Sequence, residues 1–116
     1  MLDEDLPHPL GRQLPGHQVM TVAGLGWGGV KNGELLKLLA AEGFEVFVTG
    51  DKNLKYQQTM RDRSFALVLL STIHWPILRK HIPVITQAVE WAKPGALTPV
   101  ECGSFLPRRR PRDKQP

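Results

Sequence analysis

A chain of 116 residues with 41% apolar and 22% charged residues can bury one hydrophobic core, which excludes a fibre and a wholly disordered chain and leaves little room for a second domain. The formal charge of +4 is confined to one end: Pro107–Pro116 carries Arg108, Arg109, Arg110, Arg112 and Lys114 against Asp113, so the preceding 106 residues are neutral. The longest purely apolar run, Phe65–Leu70, is far short of the roughly 20 residues that cross a bilayer, and a single cysteine, Cys102, excludes an internal disulfide or a cysteine-rich zinc site.

In chain order, Leu2-Asp3-Glu4 reads as the end of a short first strand. Leu6 to Leu14 follows as a short helix, with Pro7 at an early position and Leu6, Leu10 and Leu14 on one stripe, and Asp5 is its expected cap. Pro15-Gly16 ends it, Val19 to Val22 is a second strand, and Gly24 to Gly29 is a loop. Glu34 to Glu42 is a leucine-rich helix closed by Gly43. Val46 to Thr49 is apolar on both faces, as in a central parallel strand covered by helices.

Asn53 is placed to cap a helix from Leu54 to about Arg61, and Phe65 to Leu70 is again an interior strand. Pro76 opens a helical region that runs to Trp91, in which Pro83 predicts a kink or a second helix start. Lys93-Pro94-Gly95 is a turn, and Leu97 to Cys102 contains Pro99, which assigns it to an edge strand. The alternation predicts an α/β fold with a mostly parallel sheet of about five strands. Residues 107–116, basic and proline-rich, are expected to be a disordered tail.

Two acidic positions stand out. Asp51 follows the apolar run Val46–Thr49, and Asp3-Glu4-Asp5 follows the first strand, so neighbouring parallel strands would bring their carboxylates to one rim of the sheet. Open α/β sheets place their sites at that rim. A rival lies in Gly24-Leu25-Gly26-Trp27-Gly28-Gly29, which contains G-x-G-x-x-G between a strand and a helix with Asp51 about 20 residues on, the pattern of a dinucleotide site. Val30-Lys31-Asn32-Gly33 delays the helix past the glycines, which favours a plain loop that folds Trp27 over the sheet edge.

The ordered segments Leu2-Asp3-Glu4-Asp5-Leu6-Pro7, Gly16-His17-Gln18-Val19, Asn32-Gly33-Glu34-Leu35-Leu36 and Val48-Thr49-Gly50-Asp51-Lys52-Asn53-Leu54 resemble the motifs of small bacterial PIN-like proteins, over nearly residues 2 to 103. Those proteins are similar in fold to PIN-domain ribonucleases, many of them toxins of toxin-antitoxin pairs. The resemblance implies a three-layer α/β/α domain over residues 1–106 and a carboxylate cluster that binds Mg²⁺ or Mn²⁺ and hydrolyses RNA.

Carried over residue by residue, Asp3, Glu34 and Asp51 are the catalytic candidates, and Asp3, Asp51, Glu34, Asp5 and Asn32 the metal ligands. Asn32 and Asn53 stand where acids are common, which removes two charges from the site. Thr72, Asn53, Arg108, Arg109 and Arg110 are candidates for nucleic-acid contact, and Trp27, Trp75 and Tyr56 for base stacking. His8, His17, His74 and His81 lack zinc-site spacing. The expected partners are RNA, an antitoxin protein and a second copy in a homodimer, with no membrane and a cytoplasmic location. The alternatives are a PIN-like interaction module that has lost catalysis and a nucleotide-binding protein using the glycine loop.

Overall fold

Val46–Thr49 (β1) and Ala66–Leu70 (β2) lie side by side in parallel, with Val46 opposite Ala66 and Thr49 opposite Leu69. Leu97–Val100 (β3) pairs in parallel with the other edge of β2, Leu67 opposite Leu97 and Leu70 opposite Val100. The computed structural model describes residues 1–14, 16–30, 32–51 and 63–102, with only the backbone of Asn32. The helix expected from Leu54, with Asn53 and Tyr56, and the tail with Arg108, Arg109 and Arg110 lie outside the described residues.

The parallel arrangement continues beyond β1 through single residues. Leu2 bridges Val48 on one side and Thr21 on the other, both in parallel. The supporting bonds run Met1 N to Val46 O (2.9 Å), Val48 N to Met1 O (2.9 Å), Asp3 N to Val48 O (2.9 Å), Leu2 N to Met20 O (2.8 Å) and Val22 N to Leu2 O (3.0 Å). The expected first and second strands are therefore reduced to bridges. Each is cut short by a turn: Leu6 N bonds to Asp3 O after the first, and Leu25 N bonds to Thr21 O after the second. Across the sheet the order is Thr21, Leu2, β1, β2, β3. In chain order this is 2-1-3-4-5, the doubly wound pattern that reverses direction between the first and third segments.

Apolar side chains on successive strand residues go to opposite faces, as the period of two requires. Val48, Val68, Leu70 and Val100 join Leu2, Leu10, Leu78, Ile85 and Val89 in one buried cluster. Phe47, Phe65 and Leu67 join Met1, Val22, Leu35, Leu36 and Leu39 in the other. Helices thus cover both faces: His8–Gly11 (α1), Trp75–Leu78 (α3) and Ile82–Trp91 (α4) on the first, and Asn32–Ala41 (α2) on the second. Each fully buried aliphatic or aromatic side chain contributes about 1.5–3 kcal/mol, so the double-sided sheet is the main source of stability.

Local signals explain the helix limits. The α2 helix ends in a Schellman motif: Gly43 has φ 74°, its N–H bonds to Ala40 O at 3.2 Å, and Phe44 N bonds to Leu39 O at 3.1 Å. Between Trp75 and Trp91 the chain forms two helices, with Pro76 and Pro83 each in an opening turn, so Pro83 starts a helix and does not kink one. The expected Asp5 cap on α1 does not form; Pro7 stands at that N-cap with no side-chain bond.

Candidate functional site

The strand order reverses between Leu2 and β1, and Asp3 and Asp51 both leave the sheet at the carboxyl ends of these two segments, where open α/β sheets place their sites. Thr49, the last residue of β1, connects them. Its side chain is fully buried; its hydroxyl donates to Asp3 Oδ2 at 2.6 Å and accepts the Asp51 N–H at 3.0 Å. Asp3 Oδ1 accepts the Glu4 N–H at 2.8 Å, which fixes both carboxylate oxygens.

Asp5 completes the rim. Its carboxylate accepts the Gly50 N–H, one residue beyond Thr49. A Cβ at Gly50 would overlap the Ile73 Cγ2 methyl and stand 3.6 Å from Asp5 Oδ2, so a side chain here requires the exposed Ile73 to move.

The rim is electrostatically crowded. Burial pushes the Asp3 carboxyl above the usual range, and the charges of Asp51 and Glu4 push the same way, while the bonds from Thr49 and Glu4 oppose them. Although its side chain reaches solvent, Asp5 is pushed up to about 6, first by partial burial and then by Asp3, with a smaller push from Asp51 and the Gly50 bond opposing.

Asp51 and Glu4 act on Asp3, and Asp3 and Asp51 act on Asp5; Glu34 is not among these charges and stands exposed in the first turn of α2. The side chain of Asn32 and all of Asn53 lie outside the described residues. Glu4, by contrast, belongs to the site: its Oε1 accepts the Gly29 N–H at 3.2 Å and ties the glycine loop to the rim. That bond places a carboxylate against a loop amide where a phosphate cradle would present free N–H groups. Trp27 of the same loop packs edge-to-face on Phe44 at 6.1 Å.

Asp5, Leu6 and Pro7 form one wall of an open cleft of about 670 Å³, and Thr72, Ile73, His74, Trp75 and Pro76 form the other. Thr72 is thus on the expected rim, with its hydroxyl accepting the His74 N–H at 3.1 Å. Trp75 lines this cleft together with Asp5. Cys102 is buried, its thiol pushed up chiefly by burial, and its N–H donates to Ser71 Oγ at 2.8 Å, so it behaves as a core residue.

Thr49 is the residue that sequence reasoning misses, and so is the bond from the glycine loop to Glu4. Thr49 looks like one more β-branched strand residue until Leu2 is known to be its neighbour. Its place immediately before Gly50-Asp51, at the end of a run otherwise apolar, was the available signal.

Compared with protein-family profiles, curated proteins and solved structures, the chain matches none. Among the described residues, no helix is long and apolar enough to cross a membrane.

Proposed function

We propose that this chain is a PIN-like, three-layer hydrolase that uses Mg²⁺ or Mn²⁺ to cleave RNA phosphodiester bonds at the rim formed by Asp3, Asp5 and Asp51. The observation that carries this reading is the pair Asp3 and Asp51, joined through the Thr49 hydroxyl at the strand-order reversal, with Asp5 beside them on the Gly50 N–H.

The donor set is all oxygen, which suits a hard cation. Among the described residues no three His, Cys, Asp or Glu side chains stand close enough to hold an ion together. The fitting arrangement is therefore the one Mg²⁺ commonly adopts, with one or two carboxylates, here Asp3 and Asp51, and the remaining positions left to water and phosphate. When bound, such an ion supplies Lewis-acid polarisation of a phosphoryl oxygen and lowers the pKa of a coordinated water.

The chain's own groups supply the rest. Thr49 and the Glu4 N–H hold Asp3 in one orientation, and Thr49 fixes the backbone from which Asp51 projects. Asp5, bonded to the Gly50 N–H beside these two residues, is the group left to accept a proton from an attacking water. The cleft beside Asp5 offers Trp75 as a surface on which a base of single-stranded RNA can stack.

Calorimetric titration of Mg²⁺ and Mn²⁺ into wild type and Asp51→Asn, followed by cleavage assays on single-stranded RNA in the same buffers, tests the reading. Binding and metal-dependent cleavage that both disappear in the variant are expected. No binding at millimolar metal would defeat it and favour a PIN-like interaction module, the reading that Asn32 and Asn53 in place of acids would explain.

A further inference from the structure

The glycine loop has no part in the chemistry proposed above, yet it is fastened to the body of the protein and reaches the carboxylate rim. The Leu25, Gly26 and Trp27 N–H groups bond back to the Thr21, Ala23 and Val22 carbonyls at 3.1, 3.0 and 2.9 Å, and the Trp27 ring packs on Phe44. From this base the Gly29 N–H donates to Glu4 Oε1 at 3.2 Å, across 25 residues of chain. Gly29 has φ 82°, where a side chain is strained, and a Cβ at Gly28 would stand 3.9 Å from Glu4 Oε2. The Glu4 carboxylate therefore lies along bare loop backbone.

Glu4 also follows Asp3, and its own N–H donates to Asp3 Oδ1 at 2.8 Å. Its side chain is held by the loop while its backbone holds a candidate metal ligand. The segment needs such a hold, because Leu2 joins the sheet by one bridge on each side and the chain turns away at once, with Leu6 N bonded to Asp3 O. A carboxylate ligand is only as well placed as the groups that orient it, and those groups carry a large share of metal affinity.

We propose that Glu4 is a positioning residue: held by the glycine loop, it keeps Asp3 in the orientation that receives the cation, which Glu4 itself does not ligate. This rests on the metal-site reading above. It gives the loop a supporting task in place of phosphate binding, since the Gly29 amide is already taken by Glu4.

Calorimetric titration of Mn²⁺ into the full chain and its variants tests the proposal. Glu4→Ala and Gly29→Ala should each weaken binding about threefold to tenfold, the worth of one net hydrogen bond, and together no more than either alone. Glu4→Gln keeps a side-chain oxygen for the Gly29 N–H and should bind as wild type does. Gly26→Ala is the control: Gly26 also has positive φ, 78°, and open space, but its N–H bonds within the loop, so affinity should not change. All variants should keep the circular dichroism of wild type. Glu4→Gln falling as far as Glu4→Ala overturns the proposal, because the charge would then be what matters, and so does Gly26→Ala acting like Gly29→Ala.

Exchange of the Asp3 amide, which bonds to Val48 O, reads the same hold in the metal-free proteins. It should quicken in Glu4→Ala and Gly29→Ala and stay at the wild-type rate in Glu4→Gln. Exchange that no variant alters overturns the positioning role. A wild type that binds no Mn²⁺ but shows this exchange pattern defeats the hydrolase reading and leaves Glu4 as the hold on Asp3.

Discussion

The Thr49 hydroxyl donates to Asp3 Oδ2 at 2.6 Å and accepts the Asp51 N–H at 3.0 Å, so one buried oxygen sets the position of two carboxylate-bearing residues from different parts of the chain. Removing it leaves a half-buried carboxylate short of a donor. Thr49→Val is expected to lower stability by about 1–3 kcal/mol near neutral pH, and Thr49→Ser by much less. The loss should shrink as pH falls and Asp3 protonates, because the bond favours the ionised carboxyl. Urea denaturation of the three proteins at two pH values measures this.

Space is tight at Gly50. Gly50→Ala would drive its new methyl into Ile73 and should cost about 1–3 kcal/mol as overpacking. Ile73 is partly exposed, so Ile73→Ala alone should cost little and should recover most of the loss in the double variant. A double-mutant cycle read by thermal melting would show that coupling, and additive effects would contradict the close contact.

Asp5 predicts a pH dependence with a definite sign. Its carboxyl binds a proton more tightly in the folded chain, at about 6, than at the unfolded value of 3.8. The folded state therefore holds more protons between these values, and this group's contribution falls as pH rises through that window. Melting temperatures in the presence of a chelator should show Asp5→Asn gaining on wild type from pH 4 to 7, with the difference level above that. A gap that stays flat with pH would contradict the raised pKa.

Gly43 is a second glycine test. At φ 74° a side chain places Cβ against the following carbonyl, so Gly43→Ala should cost about 1–2 kcal/mol by chemical denaturation although nothing stands within 4 Å of the new methyl. Gly33→Ala, in the first turn of the same helix and also with open space, should be neutral or stabilising.

The parts of the fold legible in the sequence are those specified by short-range chemistry. Val46–Thr49 and Phe65–Leu70 announce interior strands because neither has a polar face, and Gly43 and Pro83 mark a helix end and a helix start by their own backbone limits. The carboxylate rim is legible only in part. Asp3, Asp5 and Asp51 follow strand ends, so the parallel sheet gathers them, whereas Glu34 sits on a helix whose rotation against the sheet no local pattern fixes. The reduction of two strands to single bridges was hidden too, since strand pairing depends on partners far away in the chain.

The stitching through Leu2 separates the kinetics of the rim from those of the fold. The β1, β2 and β3 strands share ladders four residues long, while the segment bearing Asp3 and Asp5 is tied in at one bridge on each side. Local opening of that segment costs less than global unfolding. It would carry Asp3 and Asp5 away and leave Thr49 and Asp51 in place, dissolving the carboxylate cluster while the three-stranded sheet persists. Amide exchange at Leu2 and Asp3 should therefore run ahead of Val68 and Leu69, and a ligand clamped across the rim would register first as a slowing of those two protons.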